Sequence, residues 1–318
     1  MWRIVQLEGQ SLVANLRPPE FAHEWIVYPA SRADQVVARL AGAQIAILNK
    51  LTIDASAIAA LPDLRLIAVS ATGANNIDLE ACRKQGIVVS NIRGYADKTV
   101  PEHVFAMLLA LSRNLMAWRS SMQAGHWPQS KQFCLFDHPI RDLHGGTLGI
   151  VGAGSLGRGV ARLANAFGMH VLFAERRGVT TPRPGYTTFD QVIATADVLS
   201  LHCPLNDETL GLIGGAELRA MKPTALLINT ARGGIVDESA LARALREGWI
   251  GGAGFDVLTS EPPETDHQLL AQDLLSLPNF LLTPHVAWSS RPAMQVLADQ
   301  LIDNIEAFVA GHPRNRLA

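Results

Sequence analysis

The chain has 318 residues, 48% of them hydrophobic and 18% charged, with a formal net charge of −2. That length suits about two domains with substantial cores, and a near-neutral balance without basic tracts argues against nucleic acid or an anionic membrane as partner. Cys82, Cys134 and Cys203 stand far apart with no CxxC pair, so neither a disulfide framework nor a metal site is expected. The N-terminus "MWRIVQLEGQ" lacks a signal-like apolar run and no segment reads as membrane-spanning, which makes the cytoplasm the expected location.

The first hundred residues alternate short apolar runs with helical stretches. Strands are expected at 3–7, 25–28, 44–48, 66–71 and 87–90, with helices such as "RADQVVARLA" and "DLEACRKQG" between them. This rhythm is that of a parallel sheet covered on both faces, whose ligands gather at the carboxyl ends of the strands. Two segments fall there. One is "NK", with Lys50 placed to extend a positive field toward a substrate or simply to sit in solvent. The other is "SATGANN", where Ser70, Ala71, Thr72 and Gly73 either offer backbone N–H groups to an anion or form a plain turn into a helix capped by Asp78.

"KTVPEHVFAMLLALSRNLMAWRSSMQ" (98–123) reads as one long helix, with Pro101 in its first turn. It is apolar around so much of its circumference that packing between domains or subunits is expected. Residues 125–145 show no period and many aromatics, and read as a long loop with a partner.

A second alternating series opens at "TLGIVGAGSLG". Strands are expected at 170–175, 197–204, 225–231, 252–258 and 280–286, and 291–311 closes the chain as a helix with no strand after it. Gly152, Gly154 and Gly157 form GxGxxG directly after a strand and at the start of a helix. Such glycines allow a tight turn, close approach of backbone to a pyrophosphate, and close helix–strand packing. Glu175 ends the next strand, where an acid meets the adenosine ribose hydroxyls. It argues for NAD; Arg176 and Arg177, which follow, leave NADP open as well.

Three polar residues then end successive late segments: Arg232 after "LLINTA", Glu261 in "TSEPP" and His285 in "LTPHVAW". Singly, His285 could be a satisfied core histidine and Glu261 a helix-cap acid. Together they match the reduction of a 2-keto acid. The arginine pairs with the carboxylate and polarises the carbonyl, the histidine supplies a proton, and the acid orients the histidine and favours its charged form.

"TLGIVGAGSLGRGVARLANAFGMHVLFAE", "MKPTALLINTARGGIVDE" and "LTPHVAW" resemble the signature segments of the D-isomer-specific 2-hydroxyacid dehydrogenases. The resemblance covers essentially the whole chain. It implies α/β architecture, with a Rossmann NAD-binding domain (100–288) inserted into a flavodoxin-like substrate domain (1–99 plus 289–318), onto which the last helix should return. It implies Arg232, Glu261 and His285 as the catalytic arginine, glutamate and histidine. Cofactor contacts carry over to Ser155, Leu156, Glu175, Cys203, Pro204, Thr230, Ala231 and Asp256, with Arg232 and His285 also beside the cofactor, and Ser70–Gly73 to the loop that holds the substrate carboxylate. It further implies a homodimer, with Trp127 where some members send an aromatic loop toward the neighbour's site.

"SATGANNIDLEACRKQGIVVSN" and "FCLFDHPIRDL" look most like the glycerate dehydrogenase, or hydroxypyruvate reductase, branch. Formate dehydrogenases of the family carry glutamine where Glu261 stands. Phosphoglycerate dehydrogenases usually add a regulatory domain, and 70–76 lacks basic residues for a substrate phosphate. The expected reaction is NADH-dependent reduction of hydroxypyruvate or glyoxylate to D-glycerate or glycolate. The alternatives are another D-2-hydroxyacid dehydrogenase, for example one acting on D-lactate, or an NAD-sensing co-repressor of the same fold.

Overall fold

The computed structural model describes all residues from Met1 to Ala318. They divide into two compact units, Met1–Ala96 with Ser289–Ala318, and Asp97–Trp288; the division falls just ahead of the expected 99/100 boundary.

In the first unit the elements are β1 (Trp2–Gln6), β2 (His23–Val27), α1 (Val36–Leu40) and β3 (Ile45–Leu48). Then come α2 (Ala55–Ala59), β4 (Leu66–Val69), α3 (Leu79–Gln85) and β5 (Val88–Ser90). All strands pair in parallel in the order β2-β1-β3-β4-β5, the doubly wound order of flavodoxin-like sheets. β3 and β4 are buried along their whole length, which explains why they read as unbroken apolar runs rather than alternating ones. Asp54 and Asp78 cap α2 and α3 by accepting from Ala57 and Ala81 N–H. The last helix of the chain belongs to this unit. Its Asn304 donates to Asn91 O at 2.9 Å, and its Asp303 and Glu306 hold Arg17. Pairing with these two acids pushes the Arg17 guanidinium above its ordinary range.

The second unit begins with α4 (Thr99–Ser112), α5 (Leu115–Gln123) and α6 (His126–Ser130). It continues through β6 (Thr147–Val151), α7 (Ser155–Ala166), β7 (His170–Ala174), α8 (Phe189–Thr195) and β8 (Val198–Leu201). The remainder is α9 (Gly215–Ala220), β9 (Leu226–Asn229), α10 (Glu238–Glu247), β10 (Gly252–Phe255), α11 (Gln272–Leu275) and β11 (Phe280–Leu282); α12 (Arg291–Val309) is the returning helix of the first unit. The six strands are parallel in the order β11-β10-β9-β8-β6-β7. From β6 the chain moves outward to β7 and then crosses to β8 on the other side. The topological switch therefore lies at the carboxyl ends of β6 and β8, where such sheets bind ligands.

Three expectations change. The long helix 98–123 is two helices, because Asn114 takes a left-handed backbone (φ 51) between α4 and α5, a conformation asparagine tolerates better than most residues. The apolar face of α4 is spent on its own unit: Val104, Phe105, Leu108 and Leu111 pack with Leu148, Ile150, Val160 and Ile228. Residues 125–145 are not all loop, since they contain α6, and Trp127 there donates to the backbone oxygens of Gln132 and Phe133.

Candidate active site

The glycine turn is built by close contact. A Cβ on Gly152, whose φ is 102, would lie 2.6 Å from His202 O at the end of β8, and a Cβ on Gly157 would lie 2.1 Å from Gly152 O. A Cβ on Gly154 would meet no protein atom within 4 Å. Gly154 is also the N-cap of α7 and supplies no side chain, so the first N–H groups of that helix, beginning at Ser155 and Leu156, keep their donors for an anion. Open room above the middle glycine and uncapped donors beside it are what a dinucleotide pyrophosphate requires.

The neighbouring strand ends add orphaned polar atoms. Thr230 Oγ1 and His202 Nδ1 are enclosed and bonded to nothing, while His202 Nε2 and Ser200 Oγ lie 2.8 Å apart. Loss of hydration pushes His202 down to about 4, so its imidazole is neutral at physiological pH. Burial pushes the Cys203 thiol up to about 11, leaving it an unreactive wall beside the exposed Pro204.

Arg232, Glu261 and His285 follow β9, β10 and β11 respectively. Nδ1 of His285 lies 2.6 Å from Oε2 of Glu261, and Glu261 Oε1 accepts Leu258 N–H at 3.0 Å, so the carboxylate is fixed at one end and holds the imidazole at the other. Both side chains remain about a quarter exposed, at 25% for His285 and 30% for Glu261. His285 is neither a core histidine nor is Glu261 a helix cap. His285 has a left-handed backbone (φ 54), an unusual state for a non-glycine residue and one that a surrounding structure must impose.

Asp256 imposes it. Its carboxylate, 1% exposed, accepts Val286 and Ala287 N–H at 2.9 Å each and the Thr283 hydroxyl, and its backbone oxygen accepts His285 N–H at 2.8 Å. Asp256, expected beside the cofactor, thus has three acceptor positions of its carboxylate on the His285 turn. His103 of α4 supports the same turn, with Nε2 3.1 Å from Thr283 Oγ1, and it carried no sequence signal.

The Arg232 strap has its own clamp. Asn229 Nδ2 donates to Arg232 O at 2.9 Å and its Oδ1 accepts Ala231 N–H at 3.1 Å, while Arg232 Nη1 reaches Ala231 O at 2.6 Å. A Cβ on Gly233 would fall 1.9 Å from Leu258 O, so only glycine lets the strap run beside the segment that carries Glu261. Glu238 and His267, also unforeseen, brace that segment. Glu238 Oε1 accepts Thr259 N–H at 2.7 Å, and Oε2 lies 3.0 Å from His267 Nε2.

Residues 105–287 match the family described as D-isomer specific 2-hydroxyacid dehydrogenase, NAD binding domain. The chain belongs to that family. It is 48% identical over 314 residues to a glycerate dehydrogenase of Methylorubrum extorquens, covering 98% of each chain. A D-lactate dehydrogenase from Aquifex aeolicus, complexed with NAD and lactic acid, superposes with a TM-score of 0.81 at 27% identity, covering 98% of this chain and 96% of that one. An acyclic imino acid reductase (Bsp5), in complex with NADPH and D-Arg, gives a TM-score of 0.82 at 28% identity, with 99% and 100% covered. This 2-hydroxyacid dehydrogenase is therefore an oxidoreductase with an NAD(P)-binding unit, and no helix in it is long and apolar enough to cross a membrane.

The remaining sequence-derived residues lie in the other unit. Glu8 accepts the N–H groups of Asn49, Lys50 and Leu51 at 2.7–3.1 Å, which fixes the backbone beneath the exposed Lys50. Ser70 is buried, its hydroxyl on Leu48 O, and the Thr72 hydroxyl reaches Ile92 O. Ala71 O and Thr72 O accept from Ile92 N–H and Asn91 Nδ2, whereas the N–H groups of Ala71, Thr72 and Gly73 meet no protein acceptor. Three successive amides there keep their donors.

Proposed function

We propose that this dehydrogenase reduces a small 2-keto acid, hydroxypyruvate or glyoxylate, to the D-2-hydroxy acid with NADH as reductant. The observation that carries the reading is the 2.6 Å contact between His285 and Glu261, which turns an imidazole into an oriented proton donor. The name and 48% identity of the Methylorubrum relative support the substrate class.

Bound at the Gly152–Gly157 turn, the nicotinamide nucleotide supplies the hydride; the chain's own residues do the rest. Ser155, Leu156 and the α7 N-terminus hold the pyrophosphate, and Thr230 Oγ1 and the wall of Cys203, Pro204 and Ala231 bound the space beyond it. Arg232 pairs with the substrate carboxylate through its planar fork and polarises the keto oxygen. The His285 imidazolium, its Nδ1–H held by Glu261, gives its Nε2 proton to the oxygen as negative charge develops there. In the reverse direction the neutral imidazole takes that proton back. The free amides of Ala71–Gly73 form a second anion site in the other unit, with Lys50 adding positive charge in that unit.

Steady-state turnover of the purified protein on hydroxypyruvate, glyoxylate, pyruvate and larger 2-keto acids tests the reading. Highest kcat/KM on one of the first two is expected. Preference for pyruvate would replace it with the D-lactate reading, and nucleotide binding without turnover on any acid would replace it with the co-repressor reading.

A further inference from the structure

The end of β7 carries a charge arrangement that an NADH site does not need. Both oxygens of Glu175 are already occupied. Oε1 accepts Arg176 N–H at 2.9 Å and Arg183 Nη2 at 2.8 Å, and Oε2 accepts Arg183 Nε at 2.6 Å and Arg183 N–H at 3.2 Å. A carboxylate offers about four lone-pair positions, so these contacts saturate it. The Glu175 side chain is 3% exposed while that of Arg183 is 60% exposed. The bidentate guanidinium holds the Glu175 carboxyl down at about 2, so it is ionised and matched at any working pH.

Arg183 is delivered by local sequence. Glu175 N–H donates to Thr187 O and Thr187 N–H to Phe173 O, both at 2.8 Å, so the returning chain lies along the end of β7. "RPGY" closes a turn with Tyr186 N–H on Arg183 O at 3.0 Å and Gly185 at φ 81, the pattern of proline followed by positive-φ glycine that marks a type II turn. The Tyr186 ring centroid sits 4.2 Å from the guanidinium carbon. Carboxylate, ring and turn fix the arginine, yet its Nη1 donates to no protein atom. Arg176 beside it is exposed, whereas Arg177 is paired with Glu217.

We propose that this enzyme takes NADPH as well as NADH, and that Arg183 is the residue that decides it. The proposal rests on the reading above that the glycine turn holds a nicotinamide dinucleotide, which sets the adenosine ribose at the end of β7. In an NAD-restricted site a free acid accepts the ribose hydroxyls and repels a 2′-phosphate. Here the acceptors of Glu175 are consumed and its charge is cancelled at contact distance. With Arg176 and Arg183 the cluster is net positive, and a fixed guanidinium with spare donors suits a phosphate.

The test is calorimetric titration of the purified full chain with adenosine 2′,5′-bisphosphate and with adenosine 5′-phosphate, probes that differ by the 2′-phosphate and carry no nicotinamide. Alongside, kcat/KM is measured for NADPH and NADH with hydroxypyruvate. Wild type should bind the bisphosphate at least as tightly as the monophosphate and use NADPH within about tenfold of NADH. Arg183→Gln should lower the bisphosphate-to-monophosphate affinity ratio about tenfold or more, the usual worth of a charged hydrogen bond. Arg176→Gln, on an exposed side chain, should lower it less and remains readable if the first variant does not fold. A wild type that binds the bisphosphate more than tenfold weaker than the monophosphate, or a ratio unmoved in both variants, would overturn the proposal. Binding of neither probe would instead sink the dinucleotide reading, and this proposal with it.

Discussion

Gly154 and Gly157 belong to one turn, yet alanine should do opposite things at the two positions. At Gly154 the backbone φ is −71 and an added Cβ meets no protein atom within 4 Å, so Gly154→Ala should behave as an innocuous substitution for folding. Such changes stay within about 0.5 kcal/mol, or about 2 °C in Tm for a protein of this size. The methyl would instead occupy the room into which a pyrophosphate must come. Overpacking typically costs about 1–3 kcal/mol, which would weaken NADH binding by about 5- to 150-fold. At Gly157 the added Cβ would stand 2.1 Å from Gly152 O and 3.2 Å from Ile150 Cγ2. A backbone carbonyl cannot swing aside, so α7 would have to lift off β6 by about 1 Å. Gly157→Ala should therefore cost the upper part of about 1–3 kcal/mol in stability, with cofactor binding lost as a consequence. Scanning calorimetry with and without NADH, together with a fluorescence titration, separates the two. A Gly154→Ala protein that binds NADH like wild type, or that melts as low as Gly157→Ala, would refute the assignment of that open room to the cofactor.

Arg232→Lys keeps the charge but loses the fork geometry, and kcat/KM on hydroxypyruvate should fall about tenfold or more; unchanged kinetics would remove Arg232 from the substrate. Glu261→Gln keeps shape but withdraws the charge from the 2.6 Å contact, and should lower kcat more than it changes NADH affinity, while His285→Ala should cost about 10²–10⁴-fold. Equal small losses in both variants would mean that the pair does not act on the reacting oxygen. His202 makes a prediction about stability. Desolvation depresses it from 6.5 to about 4, so as pH falls the unfolded chain takes up the proton first. Its contribution is fully present above about pH 6.5 and is lost between there and pH 4, by at most about 3 kcal/mol. Urea unfolding between pH 4 and 7 should show a shallower acid limb for His202→Asn; parallel limbs would show that another group sets it.

Short-range signals carried the architecture. Short unbroken apolar runs such as "IAIL" and "LIAV" suit strands covered on both faces, and GxGxxG suits a strand-to-helix turn, in which two of its glycines abut backbone. Arg232 and Glu261 were legible past the expected strand ends, whereas the expected strand 280–286 ran through His285, which stands beyond the end of β11 at Leu282. The break at Asn114 was not legible, because helical periodicity runs on through a single left-handed residue. Partnerships across the chain were beyond the sequence altogether. That Arg183 takes the oxygens of Glu175, that Asp256 holds the His285 turn, and that Asn229, Glu238, His103 and His267 brace the neighbouring segments, all depend on which side chains packing brings into hydrogen-bond reach. A carboxylate has few acceptor positions, and the nearest donor in space takes them. Composition and spacing name the carboxylate; only the folded chain says which donor arrives.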